Sequence, residues 1–339
     1  MCPPTAKRPK GAGAKRQLPI RREFLVDILL PILIGFALAL AATISIASAA
    51  GWGNIADRVT SFNWVWLPVA LAAEACAYAG YTFAYREAIR AAGGLELPHL
   101  DWIALVSSGF GIFVMRGGFA HDVERLTAAG SPAREARVRV LALGALEYVI
   151  LAPATAVCAV YLIVHGDVHG ALTWPWAIGV PAGLAAAYLV YRLHPRLAGL
   201  RARSSILDEA FDGIALIPRI ATDRLHRGLM AMFGMGAYWF SEIFMLWATL
   251  HAFGDRPSIP ALVIGFATGY ALTRRTLPLA GAGAADAFLP FSLNWTGIAL
   301  APALLAVFAY RVLNAWLPVL PALIGLHRLS GARHDGVTR

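Results

Sequence analysis

The chain has 339 residues, of which 58% are hydrophobic and 14% charged, with a mean hydropathy of +0.62. A soluble domain carries about 25% charged residues, so this composition excludes an ordinary soluble fold and implies one all-α, polytopic membrane domain. The net charge of +9 would suit a nucleic-acid binder only if the basic residues formed a patch with aromatic or folded support, and they do not.

The first 26 residues form a basic tail. Lys7, Arg8, Lys10, Lys15, Arg16, Arg21 and Arg22 all precede the first acid, Glu23, which makes the tail an orientation signal and a contact for anionic lipid. No nucleic-acid partner is expected. The apolar run that follows, 28 to 50, exceeds the 7–15 residues of a cleavable signal core and is expected to stay as a signal anchor.

Apolar runs near 27–50, 64–85, 138–164, 174–192, 229–251 and 298–322 each match the roughly 20 residues that a crossing helix needs. They predict six full spans. Two further stretches, 102–118 and 259–293, are interrupted by Gly, Pro and Arg, which a lipid-facing helix tolerates poorly; they read as broken or re-entrant hairpins, or as crossings that raise the total to eight. Of the 29 Lys and Arg, 23 lie in the tails and in the loops 86–101, 119–139 and 192–228, so both termini are expected in the cytoplasm. A complete crossing at 102–118 would put Arg125, Arg134, Arg137 and Arg139 outside, which favours a re-entrant segment there. For 259–293, two short crossings with Arg274 and Arg275 at the inner surface would preserve the same termini.

The domain is expected to run from 27 to 325, with a short cytoplasmic tail at 326–339. Its halves, 27–192 and 229–325, share an order: a Gly-aromatic pair (Gly109-Phe110, Gly269-Tyr270), Arg, paired Gly, Asp (Asp122, Asp286), then a long span. That order suggests an inverted repeat. The linker 193–228 carries a capping pattern at Ser205–Asp208 and then Ala210, Phe211, Ile214 and Ile217 at helical spacing, predicting an interfacial amphipathic helix.

Ionisable residues within apolar sequence are costly and each calls for a partner or a role. They are Glu74, Arg116, Glu147, Glu242, Arg274, Arg275, Asp286 and Arg311. Four acids and four bases could simply pair and fix helix packing. Glu74, Tyr78, Tyr81 and Tyr85 share one helical face, as do Tyr238 with Glu242 and Arg311 with Asn314, which suggests a hydrated cavity that accommodates a headgroup. Arg116, Arg274 and Arg275 stand beside Gly or Pro breaks, where guanidinium forks and free backbone N–H groups suit phosphate oxygens. Gly179–Gly183 and Gly265–Gly269 match GxxxG, which requires only close helix packing. Neither a catalytic motif nor a metal-ligand spacing is present, so no enzyme activity, cofactor or metal site is expected, and three cysteines cannot form a disulfide framework.

Leu277-Pro278 through Gly281, Gly283 and Asp286, followed by Gly297 and Tyr310-Arg311, resembles the signature of the lysylphosphatidylglycerol synthase transmembrane-region family, also called flippase-like. Gly109 to Gly118 with Asp122, Gly130 and Glu147 resembles the corresponding first half, and the resemblance runs from about 25 to 325. It implies a multi-pass protein of the bacterial inner membrane, with re-entrant helices, that moves lipid between leaflets. Asp286 stands where the family usually has Glu. Bifunctional members append a soluble aminoacyl-transferase domain, whereas this chain stops at Arg339, so lipid aminoacylation is not expected.

The leading expectation is therefore translocation of an anionic phospholipid or a polyprenyl-phosphate-linked lipid. Arg116, Arg274, Arg275 and Arg311 would contact the headgroup, Tyr78 and Tyr81 would line its path, and Glu74, Glu147, Glu242 and Asp286 would serve as counter-charges or proton carriers. The second reading is a non-transporting scaffold whose basic inner loops hold a glycosyltransferase or another envelope enzyme.

Overall fold

The computed structural model describes residues 30–109, 118–166, 168–222, 225–271 and 283–316, and these are almost wholly helical. The helices are α1 (Leu30–Ala50), α2 (Trp52–Thr60), α3 (Trp66–Arg90), α4 (His99–Gly109), α5 (Gly118–Ala128), α6 (Ala133–His165), α7 (Gly170–Leu193), α8 (Ala198–Arg201), α9 (Ser205–Thr222), α10 (Leu225–Ala252), α11 (Ile259–Phe266), α12 (Ala284–Trp295) and α13 (Leu300–Arg311). Short π-helical turns extend α11 over Ala267–Ala271 and α13 over Val312–Trp316.

Four helices, α1, α6, α7 and α10, are long and apolar enough to cross a membrane. α3 is 25 residues long but is diluted by Glu74, three tyrosines and a charged last turn. The 12-residue α13 spans only about 18 Å at 1.5 Å per residue. α4 and α5, of 11 residues each, are likewise about half a bilayer long and lie against each other, as do α11 and α12. Each half thus holds one pair of short helices in contact.

The centre of the bundle is the crossing of α3 with α10. Trp66 meets Trp247 and His251 at one end, with ring centroids 5.2 and 5.0 Å apart, and Glu87 meets Arg227 at 4.0 Å at the other, so the two helices are antiparallel. Small residues allow the approach: Ala70, Ala73, Ala77, Gly80, Ala84 and Ala88 form one buried seam along α3. A Cβ on Gly80 would stand 2.7 Å from the Gly234 carbonyl oxygen, and one on Gly234 would stand 2.7 Å from the Gly80 carbonyl oxygen. This reciprocity is what a local two-fold axis across the pair produces. α6, α9 and α13 surround this pair, with α12 and α1 outside α13. α7 packs on α6 and none of its apolar window is buried.

GxxxG separates accordingly. Gly265 and Gly269 pack on α12, where added Cβ atoms would fall 2.8 Å from Leu293 Cδ2 and 2.3 Å from Ser292 Oγ, whereas nothing lies within 4 Å of Gly179 or Gly183.

The linker helix forms at Ser205–Thr222, as its capping pattern and periodicity predict, but its most buried face is Glu209, Gly213, Leu216 and Ile220, rotated from the stripe read in the sequence. Gly213 explains the shift, since its missing side chain lets α9 close on α6, with Leu141 Cβ 3.1 Å from where a Cβ would stand. Ion pairs seal the contact: Arg137 holds Glu209 at 2.8 Å, and Arg134 and Arg201 share Asp208 and Asp212 at 2.6–2.8 Å. Hydrogen bonds from Arg134 and Arg201 hold the Asp208 carboxyl below its usual range. Asp212, which partial burial alone would raise, is brought below by Arg134, His194 and Arg201. Depressed native pKa values mean that this stabilisation is present above the ordinary aspartate pKa and is lost as pH falls through the lower native values. The hydrogen-exchange protection of residues 205–212, relative to the intrinsic rate at each pH, is therefore expected to hold from neutral pH to about 5 and to fall below about 4; unchanged protection at low pH would mean that Gly213 and the apolar contacts hold α9 alone.

Segment 51–63, between the predicted spans at 27–50 and 64–85, contains α2. This nine-residue helix buries none of its residues. It is tethered at its end by Arg58, which donates to the Phe253 carbonyl at 3.1 Å.

A buried polar network on two π-helical turns

Arg116, Arg274 and Arg275 lie outside the described residues. The other predicted site residues fall into two groups on either side of the α3–α10 pair.

The second-half group is one connected network. Glu242, on α10 and fully buried, accepts from the Tyr310 hydroxyl and from Asn314 Nδ2 at 2.7 Å. Asn314 Oδ1 in turn accepts from the Tyr270 hydroxyl at 2.7 Å. Arg311 donates through Nε to Asp286 Oδ1 at 2.8 Å, and its guanidinium lies 5.8 Å from the Tyr270 ring centroid, within cation–π range. The second Asp286 oxygen accepts the Gly283 N–H at 2.8 Å, so this carboxylate also caps α12, an N-terminal position that favours negative charge. Gly283 has φ +81, a conformation that favours glycine.

Two of these contacts depend on backbone geometry that periodicity cannot reveal. Tyr270 sits in the π turn after α11 and Asn314 in the π turn after α13. Widening each helix locally redirects the side chains that follow, and such turns recur at functional positions. The exposures of Glu242, Tyr310, Tyr270, Arg311, Asn314 and Asp286 run from 0% to 8%, so each ionised group has left water and depends on its partners.

The first-half group is looser. The hydroxyl of Tyr78 bonds Ser107 and reaches the Ile103 carbonyl oxygen at 3.3 Å, joining α3 to α4. Tyr85 faces the Asp122 carboxylate of α5. Glu74 and Glu147 are buried at 5% and 3% exposure, and the Glu147 carbonyl accepts from Trp239 Nε1 at 3.0 Å. The Glu74, Tyr78, Tyr81, Tyr85 stripe does not line one hydrated cavity. Tyr81 and Tyr85 are buried among rings, because α10 covers that face, whereas Tyr78 borders a cleft beside α4.

An aromatic seam joins the two groups through α10. Tyr81 meets Tyr238 at 5.1 Å between ring centroids, Trp239 meets Phe266 at 6.0 Å, Phe266 meets Tyr270 at 5.3 Å, and Tyr270 meets Tyr310 at 5.4 Å. Sequence spacing identified Glu242, Asp286 and Arg311, but not that Tyr270 and Tyr310 connect them. Trp102 and Ser107, which complete the first group, gave no sequence signal beyond their place in a broken apolar run. Among the described residues no group of three His, Cys, Asp or Glu is placed to hold a metal ion.

Comparison with protein-family models and with curated proteins finds no match for this chain.

Proposed function

We propose that this protein moves a lipid with an anionic headgroup, a phospholipid or a polyprenyl-phosphate-linked lipid, between the leaflets of a bacterial inner membrane. The observation that carries this reading is the buried Glu242–Tyr310–Asn314–Tyr270 and Asp286–Arg311 network on the two π turns. A bundle that needed only stability would be served as well by apolar residues of similar volume, and ionisable groups within a membrane domain mark substrate or ion paths. In sequence, Tyr270 and Asp286 of this network flank the segment that bears Arg274 and Arg275, whose guanidiniums suit phosphate.

The same proposal includes the finer topology: cytoplasmic termini, six full spans, two re-entrant hairpins and an inverted repeat. The paired short helices, α4 with α5 and α11 with α12, and the reciprocal contact of Gly80 with Gly234 support it, because opposed halves around a central site are a recurrent transporter plan. Membership of the flippase-like family belongs to the proposal as well.

The test is lipid movement in proteoliposomes that contain the purified protein. Tyr270→Phe removes one hydroxyl and keeps the ring, so folding should persist while transport falls about tenfold, the worth of one buried hydrogen bond of about 1.4 kcal/mol. If the wild-type protein moves neither class of anionic lipid, the translocation reading fails and a scaffolding role takes its place.

A further inference from the structure

We infer that the cleft between α3 and α4 is a binding site for an anionic glycerophospholipid. The inference deepens the lipid-handling reading above and rests on it for its choice of ligand class.

The cleft encloses about 250 Å³ and is walled by Tyr78, Ala79, Thr82, Phe83, Trp102 and Ile103, with Arg86 and His99 at one end. It opens laterally, since Phe83 is 50% and Ile103 44% exposed, on the outer face of a helix whose inner face is the α10 seam. An apolar body with a cationic end fits an amphiphile whose head is negative. Arg86 Nη1 lies 3.0 Å from His99 Nδ1, so the two side chains already converge on one point. Arg86 donates through Nε and Nη2 to Glu87 Oε1 at 2.8 and 2.6 Å, but Glu87 does not serve Arg86 alone. It also faces Arg90 and Arg227, and both of these turn to Glu96, so three guanidiniums share two carboxylates.

With the phosphate at Arg86 and His99, an acyl chain would lie against Phe83 and Ile103 and leave past them into the bilayer. A free phosphate compound would engage Arg86 and His99 only.

Native mass spectrometry of the purified full-length protein, titrated with dioleoylphosphatidylglycerol, dioleoylphosphatidylcholine and glycerol 3-phosphate, tests the site. Saturable binding of phosphatidylglycerol is expected, with phosphatidylcholine weaker and glycerol 3-phosphate unable to compete. Arg86→Gln and His99→Gln should each weaken binding about tenfold through the loss of a charge-assisted hydrogen bond. Ile103→Trp, at an exposed position outside every ion pair, should fill the cleft and abolish binding without disturbing the fold. Binding that all three variants retain, equal binding of the two lipids, or full competition by glycerol 3-phosphate would each overturn the inference. Because binding is read without transport, a wild-type protein that binds phosphatidylglycerol in this Ile103-dependent way but moves no lipid would remove the translocation proposal and leave the site standing.

Discussion

Arg311→Met is expected to lower the stability of the purified protein by about 3–5 kcal/mol, the usual consequence of leaving one member of a buried ion pair without its partner. Arg311 and Asp286 are 5% and 8% exposed and joined at 2.8 Å, so the orphaned Asp286 carboxylate has no water to replace the guanidinium. In a thermal unfolding series this should appear as a fall of roughly 10 °C. The double variant Asp286→Asn, Arg311→Met should recover most of the loss, because both charges are gone and the asparagine oxygen can still accept the Gly283 N–H. Equal losses in the single and double variants would show that the pair is not coupled and that Asp286 acts as a helix cap alone. As a contrast, Arg134→Met breaks pairs on a side chain that is half exposed, where water and salt screen the interaction, and should cost no more than about 1 kcal/mol.

That contrast also shows what the sequence could and could not tell. The sequence singled out Arg311 and Asp286 because charge inside an apolar run stands out against twenty neighbours. It could not pair them: they are 25 positions apart, and the pairing depends on α12 and α13 lying side by side. Tyr270 and Asn314 were harder still, since their meeting requires two π turns that leave no mark on a 3.6-residue pattern. Arg139 read as one more cytoplasmic loop cation, yet it is 5% exposed and donates to the Ile89 and Ala91 carbonyls at 2.7 and 2.6 Å, closing the end of α3. A positive-inside tally counts such a residue without revealing its work. α2 escaped notice because nine amphipathic residues with a net hydropathy near zero resemble a loop in any window long enough to find a span.

The α3–α10 crossing was hidden for another reason. The eye is drawn to Glu74 and the tyrosines of α3, whereas the alanines and glycine beside them let its backbone meet that of α10. A Cβ on Gly80 would stand 2.7 Å from one backbone oxygen and 2.9 Å from the Tyr238 nitrogen; on Gly234 it would stand 2.7 Å from the Gly80 oxygen and 2.9 Å from the Ala84 nitrogen. Backbone atoms cannot rotate away, so even alanine must push the helices apart. Gly80→Ala and Gly234→Ala are each expected to destabilise by about 1–3 kcal/mol from overpacking, outweighing the gain in helix propensity of about 1 kcal/mol. Leucine at either position should prevent recovery of monodisperse protein.

The decisive measurement is the double variant. If the two glycines form one contact, the first alanine separates the helices and the second meets space already opened, so the combined loss should fall short of the sum by more than about 0.5 kcal/mol. Additive losses would mean two independent contacts and would remove the local two-fold relation at the centre of the bundle. Gly179→Ala and Gly183→Ala, on α7 where nothing lies within 4 Å, serve as controls and should be neutral or stabilising by up to about 1 kcal/mol each. The same GxxxG pattern thus carries opposite expectations at Gly179–Gly183 and at Gly265–Gly269, because helix contact, which the pattern does not encode, decides the sign.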